Sequence, residues 1–287
     1  MPIENCFKNS DGLTLFYRHF AAATKTPGSL PILCLHGLTR NSRDFLAPAQ
    51  HLAQHYDVIV PDVRGRGFSD RDSDPLRYQP AVYARDMWEL LDHFGLERCV
   101  VIGTSMGGVI AMIMAAQQPQ RVAGFVLNDI GPELNHAGLQ RIASYVAIKT
   151  EVRNWDDAIA VSQRNFGAAL PDLTPAQWRS FAEAAFRADA EGVPRADYDP
   201  AIAQLFGQVD NADNTAKAWS LFAALKQPVL VLRGALSDLF SADVVESMRA
   251  RHPDLTEVEI PNRGHAPLLD EPESIAAIDA FLRRVAR

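Results

Sequence analysis

Three side chains far apart in the chain have the types that acyl transfer to a hydroxyl nucleophile requires. Ser105 stands in Gly103-Thr104-Ser105-Met106-Gly107, directly after the apolar run 99–103 and before the helical stretch 108–118. A serine at such a strand–turn–helix junction is lifted out of the sheet, and the small residues beside it let strand and helix approach closely. The helix N-terminus just behind it favours developing negative charge. A serine hydroxyl needs a base, and the base needs an orienting carboxylate. His265, in Asn262-Arg263-Gly264-His265-Ala266-Pro267, follows the run 255–260, and Asp238, in Gly234-Ala235-Leu236-Ser237-Asp238, follows the run 228–232. Both sit where loops leave the carboxyl ends of strands, the edge at which open α/β sheets build their sites. The order Ser…Asp…His is the one the motif predicts. A second carboxylate competes: Asp129, in Asn128-Asp129-Ile130-Gly131-Pro132, follows the run 122–127. Asp238 is the favoured acid, because Gly234 and Ser237 suit a turn that presents it. Asp129 lies where the chain must leave the sheet, and its carboxylate can cap that exit by accepting backbone N–H bonds.

Charge that develops on a carbonyl oxygen calls for two aimed amides. One is the N–H of Met106, after the nucleophile; the other is Leu38 N–H, in His36-Gly37-Leu38-Thr39 after the first buried run. His36 suits a structural role under that loop better than a role as base. The plain alternatives to these assignments are an incidental serine in a glycine-rich turn, a surface-loop histidine at 265, and a helix N-cap at 238.

The elements that must position these groups are legible as short apolar runs, most of them followed by helix-period stretches. An early strand over 13–20 belongs to an antiparallel hairpin, and buried strands follow at 31–35, 56–60, 99–103, 122–127, 228–232 and 255–260, with a closing helix over 274–285. Strands alternating with helices imply an α/β fold, a mostly parallel sheet covered on both faces. Residues 132–214 lack buried-strand runs and carry Ala-rich, aromatic-containing helical patterns, so they are expected to form a helical insertion between core segments 1–131 and 215–287. Gly131-Pro132 and the polar run 210–214 mark its ends.

Composition excludes other classes. With 28 basic and 35 acidic residues the chain carries −7, which argues against nucleic-acid binding and against a polybasic membrane anchor. The three cysteines cannot form a paired framework, the first residues lack a signal-peptide pattern, and no apolar run is long enough to span a membrane. A cytoplasmic location is expected, with a small molecule as partner; oligomeric state is not readable. No metal-ligand spacing is evident.

The motifs resemble those of the α/β-hydrolase superfamily from the early strand through Ala266-Pro267. Besides the serine turn, Asp62-Val63-Arg64-Gly65-Arg66-Gly67-Phe68-Ser69 is similar to that family's D-x-R-G-x-G-x-S turn. The resemblance implies the α/β-hydrolase fold, a helical lid over the site and no cofactor or metal. Relatives such as haloalkane dehalogenases and epoxide hydrolases place an aspartate at the nucleophile position, so Ser105 points away from both. Carbon–carbon bond hydrolases of aromatic ring-cleavage products share the Ser-Met-Gly-Gly turn. They carry a longer glycine-rich loop after His-Gly, where this chain has Leu38-Thr39-Arg40-Asn41. The expectation is therefore hydrolysis of a small carboxylic ester or lactone through an acyl-serine. Carbon–carbon bond hydrolysis is the alternative enzyme reading, and a non-catalytic small-molecule receptor of the same fold is the alternative of a different class. Tyr145, Trp155, Phe166, Trp178, Phe181, Phe186 and Trp219 are candidates for the pocket wall, of which two or three are expected to touch substrate. Arg40 and Arg164 are candidates for holding a substrate carboxylate.

Overall fold

Eight strands form one sheet, antiparallel at one edge and parallel through the rest. The structure is a computed structural model that describes residues 1–24, 26–146, 151–206 and 212–287. Strands β1 (Ile3–Lys8), β2 (Thr14–Phe20) and β4 (Val58–Pro61) pair antiparallel, as the early hairpin requires. Strands β3 (Ile32–Leu35), β5 (Cys99–Thr104), β6 (Val122–Asn128), β9 (Val229–Gly234) and β10 (Leu255–Ile260) continue the sheet from β4 in parallel.

The continuous apolar runs are explained by burial on both faces. Alternate residues of one strand enter two separate cores: Leu33, Val101, Leu127 and Val231 pack on one face. Their neighbours Ile32, Val100, Val126 and Leu230 pack on the other. This is the period-2 side-chain alternation of a strand sandwiched between helices. The first face is covered by α2 (Pro80–His93), α3 (Met106–Gln117) and α9 (Ala242–Arg251), and the second by α1 (Leu46–Leu52) and α10 (Pro272–Val285). Pro at the first turn of α2 and α10 needs no N–H bond there and pre-sets the helical φ.

Between β6 and β9 the chain forms α4 (His136–Val146), α5 (Trp155–Phe166), α6 (Pro175–Ala185), the small hairpin β7 (Phe186–Ala188) with β8 (Pro194–Ala196), α7 (Ala203–Phe206) and α8 (Ala212–Ala224). Helix α6 starts on a capping box, in which Thr174 and Gln177 satisfy each other's free N–H groups. Trp178 packs with Ala169 and Leu170. Trp155 and Phe186 close a second small cluster with Val152, Ala158 and Ala182. The polar run 210–214 expected at the end of the insertion lies partly outside the described residues. Among the described residues no helix is long and apolar enough to cross a membrane.

Candidate active site

Ser105 follows β5 with φ 51° and ψ −116°, a left-handed backbone that a side-chain-bearing residue adopts only when its surroundings impose it. Two glycines impose it. A Cβ on Gly107 would come within 2.1 Å of the Leu35 carbonyl oxygen, and one on Gly103 within 2.3 Å of Gly107. Strand and helix therefore meet backbone to backbone, and the serine is left at the apex.

The loop after β10 brings His265 to the same edge. Its Nε2 lies 2.9 Å from Ser105 Oγ, and its Nδ1 lies 2.8 Å from Asp129 Oδ2. A carboxylate only accepts, so Nδ1 carries the proton and Nε2 accepts from the serine hydroxyl. Asp129 is fully buried and accepts two further bonds, from Gly234 N–H at 2.8 Å and from Ser237 Oγ at 2.6 Å. Asn128 ties the two loops together, donating to Thr104 Oγ1 at 3.0 Å and to the Pro267 carbonyl at 2.9 Å.

The expectation that Asp238 faces the histidine is corrected by this geometry. Asp238 turns away to α4, where Arg141 grips its carboxylate at 2.5 and 2.8 Å, and 43% of its side chain is exposed. Partial burial would raise its pKa, but the Arg141 bond outweighs this and holds the carboxyl below the ordinary range. The turn at Gly234 explains the difference. Ser237 N–H closes it on the Gly234 carbonyl at 2.9 Å, and Leu236 N–H bonds the Arg263 carbonyl at 2.8 Å. The inward-facing polar residue of that turn is Ser237, one position earlier, and it serves Asp129. The backbone N–H that Asp129 accepts belongs to Gly234 at the end of β9 rather than to the exit from the sheet, and the same carboxylate holds the histidine.

Leu38 and Met106 line one cavity with Ser105 and His265, about 1090 Å³ in volume. Met106 opens α3, so its amide is among the helix's unpaired first N–H groups. The Gly37 turn passes close by: a Cβ there would lie 3.9 Å from Ser105 Cβ, ordinary contact. His36 is fully buried beneath the loop, as expected of a structural residue. Its Nε2 accepts from Val63 N–H at 3.0 Å while Nδ1 donates to the Gly37 carbonyl at 2.8 Å. Burial pushes its pKa down to about 4, so it is neutral near pH 7.

Helices α4, α5 and α6 supply the opposite wall through Leu139, Ile142, Tyr145, Phe166 and Phe181. Of the seven aromatic candidates, Tyr145, Phe166 and Phe181 line the cavity; the other four do not. Trp219 instead donates to Glu133 at 2.8 Å. The loop after β3 is fastened to the end of α6, a contact the sequence reading missed. Asn41 Nδ2 donates to the Ala184 carbonyl at 2.8 Å, Arg43 reaches the same oxygen at 3.0 Å, and Arg43 pairs with Asp197 at 2.6 Å. Cations and amides suit the unpaired carbonyls of a helix C-terminus. Arg40 lines the cavity but is engaged by Asp44, at 2.9 and 2.6 Å; Arg164 is exposed and lies outside the cavity wall. Among the described residues no cluster of His, Cys, Asp or Glu is arranged to hold a metal ion.

A sheet with a serine on a strained turn, a histidine and an acid at its carboxyl edge, and helices above them defines the class. The chain belongs to the alpha/beta hydrolase fold family, whose model matches residues 31–272. It is 36% identical over 257 residues, 87% of each chain, to a 3-hydroxybutyrate-oligomer hydrolase of Cupriavidus necator. It is 28% identical to haloalkane dehalogenase 2 of Mycobacterium tuberculosis, over 86% of this chain and 85% of that one. Among solved structures, an alpha/beta hydrolase from Novosphingobium aromaticivorans superposes with a TM-score of 0.91 at 42% identity, covering 99% of each chain.

Proposed function

We propose that the protein hydrolyses carboxylic esters through an acyl-serine, with Ser105 as nucleophile, His265 as base and Asp129 as the acid that orients it. The hydrogen-bonded chain Ser105–His265–Asp129 is the observation that carries this reading. Ser105 Oγ attacks the carbonyl carbon as its proton passes to His265 Nε2, and the Leu38 and Met106 amides receive the negative oxygen. Collapse of the tetrahedral adduct breaks the ester C–O bond, and the leaving alkoxide takes the proton from Nε2. Water, deprotonated by the same nitrogen, then releases the acid and restores the serine. No cofactor or metal is needed for any of these steps. The helical insertion 132–214 serves as the lid that keeps bulk water from the acyl-serine.

The substrate class proposed is an aliphatic ester of a hydroxy acid. The name of the Cupriavidus relative supports it, as do the apolar side chains along most of the cavity. Ser105→Ala is expected to lower kcat for p-nitrophenyl butyrate and for a linear 3-hydroxybutyrate dimer on the order of 10⁶-fold. A fluorophosphonate should label the wild type and not the variant. Undiminished labelling or turnover in Ser105→Ala would overturn the nucleophile. Turnover of a ring-cleavage dienoate without ester turnover would move the reading to carbon–carbon bond hydrolysis.

A further inference from the structure

One cation near the site is bound unlike its neighbours. Arg66 stands in the glycine-punctuated turn after β4, where Gly65 and Gly67 have φ of 75° and 55°. A Cβ on Gly67 would fall 2.1 Å from Asp62 Oδ2, so the chain doubles back tightly there. The turn carries the Arg66 side chain inward, leaving it 1% exposed. Arg64, two residues earlier, is also buried but pairs with Asp11, Asp72 and Asp86. Arg66 has no carboxylate within ion-pairing distance among the described residues. Its acceptors are all neutral: Nε donates to the Leu38 carbonyl at 2.9 Å, and Nη1 donates to the Arg64 carbonyl at 2.8 Å and to Tyr83 Oη at 2.9 Å. Nη2 reaches Met106 Sδ at 3.4 Å, a weak acceptor. The guanidinium carbon lies 4.9 Å from the centre of the Tyr83 ring.

Two consequences follow. First, two of the residues it bonds, Leu38 through its carbonyl and Met106 through its sulfur, are the two whose amides are proposed to receive the carbonyl oxygen. Second, a buried charge without a counter-ion is costly unless an anion arrives. Arg66 does not itself line the cavity, so its charge would reach a tetrahedral adduct from behind Leu38 and Met106.

We propose that Arg66 is a positioning residue of the oxyanion site: it fixes Leu38 and Met106 and leaves its positive charge uncompensated for the developing oxyanion. The inference rests on the acyl-serine reading. Its effect belongs to the transition state, because the ground-state ester carbonyl carries little charge.

The experiment compares Arg66→Met and Arg66→Lys with wild type, using p-nitrophenyl butyrate turnover and the inhibition constants of two ketones. One is an alkyl trifluoromethyl ketone, which forms an anionic adduct with the serine; the other is the matching methyl ketone, which binds as a ground-state mimic. For Arg66→Met, kcat should fall on the order of 10²-fold, as for loss of an oxyanion donor, with KM within about twofold. The trifluoromethyl ketone should weaken in parallel and the methyl ketone should not. Arg66→Lys keeps the charge but loses the fork that spans both residues, and should recover part of both losses. Should Arg66→Met fail to fold, Arg66→Lys must still weaken the trifluoromethyl ketone selectively. Equal weakening of both ketones, or wild-type kcat in the folded variant, overturns the proposal. Ser105→Ala run beside them separates the two claims. An inactive Ser105→Ala with a fully active Arg66→Met overturns only the role of Arg66, whereas an active Ser105→Ala removes both.

Discussion

At the residue scale, the deciding contact is the carboxylate that reaches His265. Asp129 is held by three donors, Gly234 N–H, Ser237 Oγ and His265 Nδ1, so its geometry is set before any substrate binds. Asp238 has one strong partner, Arg141, on a half-exposed surface. Replacing Asp129 by asparagine offers the imidazole an N–H where it needs an acceptor, and the proton moves to the wrong ring nitrogen. Asp129→Asn should lower kcat on the order of 10⁴-fold. Asp238→Asn should leave kcat within about threefold, because a partly exposed ion pair is worth about 1 kcal/mol or less. Steady-state kinetics on both variants, each checked for folding by circular dichroism, settle the matter. The opposite order would return the acid to position 238.

At the scale of elements, the loop after β3 joins the two halves of the site. It offers Leu38 to the cavity, rests on neutral His36 below, and grips α6 above through Asn41 and Arg43. The His36 support has a pH signature. In the unfolded chain this imidazole titrates near its ordinary value of 6.5, whereas burial holds it near 4 in the fold. Between those values the unfolded state binds the extra proton, so stability falls as pH drops from 6.5 towards 4. Two and a half units correspond to about 3 kcal/mol. His36→Gln keeps an acceptor for Val63 N–H but has no such titration. Urea unfolding of wild type and variant at pH 7.5 and 4.5 should therefore show the wild type losing about 2.5 kcal/mol more than the variant, most of the full amount. A constant gap between them would mean that His36 is not held neutral.

At the scale of the whole molecule, Arg64 fastens the amino-terminal hairpin, the turn after β4 and α2 into one body. It reaches Asp86 at 2.7 and 2.6 Å, Asp72 at 2.6 Å and Asp11 at 2.8 Å, and Asn9 completes Asp86 with a 2.9 Å bond. Removing one partner of such a buried network leaves carboxylates stranded away from water. Arg64→Met is expected to cost about 3–5 kcal/mol and to lower Tm by about 10 °C, read by scanning calorimetry. A shift below about 2 °C would show that the aspartates rehydrate or protonate at little cost.

Much of the fold was legible because it rests on local periodicity. Fully buried parallel strands read as unbroken apolar runs, and β3, β4, β5, β6 and β9 lie within or beside the runs that announced them. Ser105 and His265 were legible for the same reason: close packing at Gly103 and Gly107 is written in residue size, and the histidine follows directly on a strand. Which carboxylate meets His265 was not. Asp129 and Asp238 both lie between Ser105 and His265, so chain order cannot separate them, and both follow strands whose carboxyl ends share an edge. The choice falls to a single turn at Gly234, which faces Ser237 inward, and to Arg141 on a helix 97 residues away, which draws Asp238 outward. Arg66 was hidden likewise, because an arginine between two glycines reads as a solvated loop residue until the turn is folded. Sequence alone determined the strands and singled out Ser105 and His265; tertiary packing decided which carboxylate meets that histidine, because only there do distant backbone turns compete for the same few ångströms.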